Sequence, residues 1–201
     1  MKSKTLITLI GLTAASLTFA TPAADYLGGG VSGNWPGATG FWFSVNQNIT
    51  VTGVAFYDLT GTGLVDRHTV GIFKADGSAV VNGIVDAGTV DPLTAGTVGG
   101  SRVKNVTSTL LVTGQNYYCV SDNLGTDKYT FGNGAVTFAS ELNWLSFGDI
   151  AANDIFSGVP SMPGGESGNL AGSFVYSTVP EPCSMIALAC GAVALIRRRK
   201  R

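Results

Sequence analysis

The sequence contains a single histidine, and its neighbours are the first place to look for chemistry. In the run Val65-Asp66-Arg67-His68-Thr69-Val70 a carboxylate, a guanidinium and an imidazole stand together, the groups that acid–base catalysis draws on. In a strand, Asp66 and His68 would share one face and Arg67 the other. The run reads as a loop-to-strand junction with a local ion pair or hydrogen bond, an acid–base cluster being the alternative. One histidine excludes a His-rich metal site.

Just upstream, Asp58-Leu-Thr-Gly-Thr-Gly-Leu-Val-Asp66 has the hard oxygen donors that could wrap a calcium ion, with Asp58 and Asp66 as ligands. It lacks the dense acids and closing glutamate of an EF-hand. The competing reading is a glycine-rich turn in which Asp58 makes a side-chain turn bond. Glu141, paired with Asp149 or Asp154, would supply the two carboxylates of a glycosidase. Their spacing does not demand it, and a solvated surface is the ordinary place for acids.

Cys119 lies in Tyr-Tyr-Cys-Val-Ser, far from Cys183 and Cys190 near the C-terminus. It has no His or Asn pattern around it and is expected to be a small buried apolar residue. Trp35, Trp42, Trp144, Tyr117, Tyr118 and Tyr129 carry flat apolar faces suited to stacking on sugar rings. Trp42 sits inside a strand-like run and is expected in the core, leaving Trp35 and Trp144 as the carbohydrate candidates. No catalytic constellation emerges, so a non-enzymatic protein without a cofactor is expected.

The elements that must position these groups are strands. "FWFSV", "ITVTGVAFY", "HTVGIFK", "GSRVKNV", "TLLVT", "NYYCVS", "AVTFAS" and "GSFVYS" are short and rich in Val, Thr, Ile and aromatics, with Gly, Asn, Asp and Pro between them. Ile49 and Val51 alternate with Thr50 and Thr52, the pattern of one buried face. Asp76-Gly77 marks a hairpin turn. No segment of this region has sustained helical periodicity. The expectation is an all-β, antiparallel β-sandwich, jelly-roll or immunoglobulin-like, over residues 39–157. An irregular segment at 25–38 would precede it, and a Gly/Pro/Ser-rich linker or loop at 158–171 and a last strand at 172–178 would follow.

Whole-chain averages conceal the charge of that region. Of 12 cations and 13 acids in the chain, five cations and twelve acids lie between residues 25 and 178, a balance of −7. A broad basic face for nucleic acid or anionic lipid is excluded there.

The ends differ in kind. Residues 1–24 have a basic start, an apolar run from Leu6 to Ala20 and small residues at plausible cuts after Ala20 or near Ala23 and Ala24, the layout of a secretory signal peptide. At the other end, Cys183 to Ile196 is uncharged and largely apolar, about 21 Å as a helix at ~1.5 Å per residue, a short span against a hydrocarbon core of about 30 Å. Arg197, Arg198, Arg199, Lys200 and Arg201 follow and should stay cytoplasmic. Pro180 and Pro182 oppose helix just before the span, leaving an extended, accessible peptide outside the membrane.

This tail, Val179-Pro180-Glu181-Pro182 followed by a short apolar segment and a terminal arginine cluster, resembles the PEP-CTERM sorting signal of Gram-negative bacteria, also called an ice-binding protein C-terminal domain. The resemblance covers residues 179–201. It implies that a membrane-embedded exosortase recognises Pro180-Glu181-Pro182 and removes the tail, leaving the protein at the cell surface or in the extracellular polysaccharide. Cys183 departs from the commoner Ser or Ala. The stretch from Thr39 to Asn123, with its His-Thr-Val-Gly-Ile strand and Asp-Gly hairpin, is similar to an uncharacterised β-sandwich domain found ahead of such tails. That likeness implies fold and company and no chemistry. There is no regular Thr-x-Thr ladder of the kind an ice-binding solenoid would carry.

Overall fold

Short runs of β-branched and aromatic residues, cut by Gly and Asx turns, leave the chain few options other than extended pairing. The computed structural model describes residues 20–28, 30–32, 37–123, 125–131, 136–150, 154–158 and 169–179. Most of the N-terminal apolar run, Trp35, Pro180 to Pro182, the span 183–196 and the arginine cluster lie outside them. The described residues contain no helix, and hence none long and apolar enough to cross a membrane.

The described residues form fifteen strands: β1 (Thr21–Pro22), β2 (Ala24–Tyr26), β3 (Gly30–Ser32), β4 (Ala38–Val45), β5 (Ile49–Asp58), β6 (His68–Lys74), β7 (Ala79–Val85), β8 (Leu93–Ala95), β9 (Gly100–Leu111), β10 (Asn116–Ser121), β11 (Tyr129–Phe131), β12 (Val136–Phe138), β13 (Leu142–Ile150), β14 (Asn169–Leu170) and β15 (Gly172–Thr178). Every described strand pairing is antiparallel. Two five-stranded sheets dominate, ordered β1-β15-β5-β9-β8 and β13-β4-β10-β6-β7. A three-stranded sheet, β14-β11-β3, and the ribbon β12-β2 complete the set.

The two large sheets pack on each other in a sandwich-like way. Ile49, Val51, Val54, Phe56 and Phe174 of the first sheet share one buried cluster with Phe41, Phe43, Val70, Ile72 and Cys119 of the second. Phe174 contacts rings across the interface, with centroids 5.2 Å from Phe43 and 6.5 Å from Phe41. The second sheet is also covered on its other side. Trp42, Phe73, Tyr118, Val120 and Ile150 form a separate cluster there with Ile155 from the turn beyond β13. Burial on both faces is why β4 and β10 read as nearly continuous apolar runs.

Several sequence expectations need correcting. Residues 25–38 are not wholly irregular, since β2 and β3 lie within or across them, and Thr21 to Ala24, placed in the signal peptide, form β1 and the start of β2. β14 falls in the stretch read as linker. "GSRVKNV" and the first three residues of "TLLVT" belong to one strand, β9. They look separate because its pairing with β5 jumps from Asn105 opposite Gly53 to Thr109 opposite Val51. β13 has no clean period of two because its register with β4 shifts between Trp144 and Ser146, and a bulge flips later side chains to the other face. The Asp-Gly turn does form the β6–β7 hairpin: Gly77 has φ +88°, and the Ser78 N–H donates to Asp76 Oδ1 at 2.8 Å.

Phe174→Ala removes the ring at the centre of the interface. It is expected to cost about 3–5 kcal/mol, read as a lower urea midpoint with unchanged slope. A shift of under ~1 kcal/mol would mean the two sheets do not depend on this contact.

Candidate functional site

His68 opens β6 and is buried, and its partners come from the loop after β10. Its Nδ1 lies 3.0 Å from Asp122 Oδ1 and its Nε2 lies 3.0 Å from Asp127 Oδ2. Phe56 of β5 stacks on the ring, with centroids 3.6 Å apart and planes within 5°. Both carboxylates are held in turn. Asp122 Oδ2 accepts the Thr69 N–H at 2.7 Å, and Asp127 accepts the Val65 and Asp66 N–H groups at 2.9 and 2.8 Å. The Thr126 N–H donates back to Asp66 Oδ2 at 3.1 Å. Residues 65–69 and 122–127 are thus laced together from both sides.

Burial by itself pulls the imidazole pKa down. Hydrogen bonds to Asp122 and Asp127, with their negative charge, outweigh it, and the net shift is upward. With a carboxylate at each nitrogen, the doubly protonated ring satisfies both contacts, whereas a neutral ring would turn a lone pair on one of them. For Asp127, burial raises the pKa, but the bonds from His68, Val65 and Asp66 leave it below the ordinary value. The arrangement suits a charged clamp better than a base: both nitrogens are engaged and the ring is 1% exposed. The expected local pairing among Asp66, Arg67 and His68 is corrected to a long-range one, over 54 and 59 residues.

Asp58 also has a different partner from the one its loop suggested. Its Oδ1 accepts from Gly61 N at 2.9 Å and Thr60 Oγ1 at 3.2 Å, and its Oδ2 from Gly63 N and Arg102 Nε, both at 2.9 Å. Arg102 further donates to the carbonyls of Gly61 and Asp91. Four donors use the lone-pair sites of a carboxylate, and the guanidinium supplies the positive charge a metal would have brought. No group of three or more metal-ligating side chains occurs among the described residues. Asp58 is therefore the anchor of a turn, with Gly61 and Gly63 at φ +70° and +122°, and a calcium ion at Asp58 and Asp66 would have to displace these donors.

Glu141 and Asp149 flank opposite ends of β13, since Leu142 pairs with Val45 and Asp149 with Thr39. Eight residues of strand put them roughly 25 Å apart at ~3.3 Å each, far beyond the ~5–9.5 Å of a glycosidase pair. Glu141 accepts the Tyr176 hydroxyl at 2.8 Å, which lowers its pKa, while burial raises that of Asp149. Asp154 is exposed and bonds the Phe156 N–H of its own turn at 2.9 Å. Cys119 is fully buried, and burial pushes its thiol pKa far up, away from reactivity.

Of the aromatic candidates, Trp42, Tyr117, Tyr118 and Tyr129 are buried in the core, and Trp144 is 40% exposed. Trp144 lies on the edge strand β13 and stacks over Phe138 of β12, with centroids 6.4 Å apart and planes within 14°. Phe138 borders an open cavity of about 350 Å³ beside the first sheet, whose walls include Asp25, Thr94, Ser101 and Val175. A flat aromatic shelf next to hydroxyls and a carboxylate can take a sugar ring, face to the aromatic and hydroxyl groups to the polar wall. Phe138 was missed because "AVTFAS" reads as an ordinary strand and nothing local says where its ring faces. Asp122, Asp127 and Arg102 were missed for the corresponding reason: their partners are distant in sequence.

No protein-family model matches the chain, and no curated protein does.

The His68 clamp gives a signed pH dependence. A raised folded pKa adds stability that is complete below the unfolded value of about 6.5 and is lost as pH rises through the folded value. Unfolding midpoints should fall across that upper window, and His68→Asn should flatten the fall while weakening the fold at lower pH. An unchanged slope in H68N would show that the ring carries no charge in the folded protein.

Proposed function

We propose that this chain is an exported bacterial protein of the cell surface or extracellular matrix. Its C-terminal signal of PEP-CTERM type is processed by an exosortase, and its central unit is a β-sandwich, jelly-roll or immunoglobulin-like, with a structural or binding role rather than an enzymatic one. Two sheets with a shared core support the sandwich. The acidic balance of the central region suits an extracellular, soluble unit that does not bind nucleic acid.

The observation that carries the reading is the pairing of the last described strand, directly ahead of the tail. β15 ends at Thr178, and the Val179 N–H still donates to the Asn48 carbonyl at 3.2 Å. The next residues are Pro180-Glu181-Pro182. Thr178 is still paired, with Ile49, and then prolines remove the donors needed to continue. A proline-flanked glutamate directly after a paired strand suits a protease that takes extended chain, and the apolar span and cations behind it hold it near the membrane until it is cut. Before that cut the partners are the membrane and the exosortase.

Replacing Pro180, Glu181 and Pro182 with alanine should leave a longer, membrane-retained product. Mass spectrometry finding the same mature C-terminus in both proteins would overturn the sorting assignment.

A second reading, favoured by the Trp144–Phe138 shelf beside the cavity, is a carbohydrate-binding module for matrix polysaccharide. Trp144→Ala would then reduce retention on that polysaccharide by about five- to tenfold, taking ~1–1.4 kcal/mol for one aromatic contact. Equal retention of both proteins would remove the shelf as a sugar site. For the hydrolase alternative, Asp149 is too far along β13 to partner Glu141.

A further inference from the structure

Thr21 to Tyr26 are part of the folded unit. Thr21 and Pro22 pair with Tyr176 and Val175 as the outermost strand of the first sheet. The Ala23 N–H donates to the Phe174 carbonyl at 2.8 Å, and the Ala23 carbonyl accepts from Ala139 N at 3.0 Å. Ala24, Asp25 and Tyr26 then pair with Phe138, Thr137 and Val136. The Tyr26 hydroxyl donates to the Ala171 carbonyl at 2.8 Å, and its ring stacks on Tyr57 at 4.2 Å. Ala23, Ala24 and Tyr26 are all buried, whereas Ala20 and Thr21 are exposed.

From this we propose that signal processing cuts the bond between Ala20 and Thr21, so that the mature protein begins at Thr21. The inference rests on the export reading and deepens it. Three cuts are open on sequence grounds, and packing distinguishes them. A cut after Ala23 removes β1 and places a charged α-ammonium on Ala24, a buried position where an unpaired charge is costly. A cut after Ala24 also strips two buried alanines from the core. Either one uncovers the edge of β15, a row of unpaired backbone groups open to another chain. A cut after Ala20 places the new ammonium on exposed Thr21 and keeps every one of these contacts. Pro22 fits the same role, because an outermost strand can tolerate a residue without an N–H and presents a blunter edge for having one.

The step is a hydrolysis by a membrane-bound signal peptidase. Water adds across the Ala20–Thr21 amide, its oxygen going to the Ala20 carboxylate and its protons to the Thr21 amine. Thr18 and Ala20 supply the small residues that such a peptidase reads either side of Phe19. The register has a further consequence. With Thr21 opposite Tyr176 in an antiparallel pair, the chain before Thr21 and the chain after Thr178 leave the sheet at the same end. Both transport segments attach to one pole of the protein.

The test is N-terminal sequencing and intact mass of the full-length gene product after export from a Gram-negative host, for the wild type and for Ala20→Tyr. Thr21 as the wild-type start is expected, with A20Y accumulating as uncleaved precursor. A wild-type product starting at Ala24, Asp25 or any residue other than Thr21 overturns the inference and leaves export standing. An A20Y product re-cut at Ala23 or Ala24 and recovered at undiminished yield also overturns it, since β1 would then be dispensable. Wild-type chain beginning at Met1 in the cytosol overturns the export reading itself.

Discussion

The contact between the inner faces of the two large sheets is the constraint on which the rest depends. Phe174, Phe41 and Phe43 meet across it, and around them the buried Val, Ile and Tyr side chains remove apolar surface from water, the dominant favourable term in folding. The same contact imposes a requirement. Any polar group that enters the layer, or the rim that seals it, must find a partner inside the protein. His68 lies against Phe56 within that layer and is balanced by Asp122 and Asp127. Arg102 and Asp58 answer one another at the end of β5.

These buried charges are better understood as specifying the arrangement than as adding net stability. A desolvated ion pair gains little over an apolar packing of equal volume, but breaking one by removing a partner is expensive. The His68 clamp holds the loop after β10 against the start of β6, and the Asp58 turn orders the chain between β5 and β6. Loops of this Gly-rich composition would otherwise have many conformations to choose among. His68, Asp122, Asp127, Asp58 and Arg102, which look reactive in isolation, are thereby engaged in holding shape.

What stays available to other molecules lies at the edges. One edge carries Trp144 on β13, stacked over Phe138 beside the open cavity. The other large sheet has at its margin the short strand β1, laid on β15, and Thr21 and Pro22 of β1 line that same cavity.

Local composition was enough to announce an all-β, antiparallel chain, because β-branched and aromatic runs, alternation as in Ile49 to Thr52, and the Asp76-Gly77 turn act over a few residues. The transport character proposed for the two ends rests on sequence alone, since an apolar run with flanking cations needs no fold to be read. Tertiary structure alone decided which carboxylates His68 and Asp58 answer to, that Glu141 and Asp149 stand far apart, that Phe138 rather than a buried tyrosine accompanies Trp144, and that Thr21 to Ala24 belong to the sheet. Each of these depends on strands brought together from distant parts of the chain and on bulges, at Trp144–Ser146 and opposite Thr52, that change which face a residue takes. Sequence spacing records distance along the chain, and burial and charge pairing are set by distance through space.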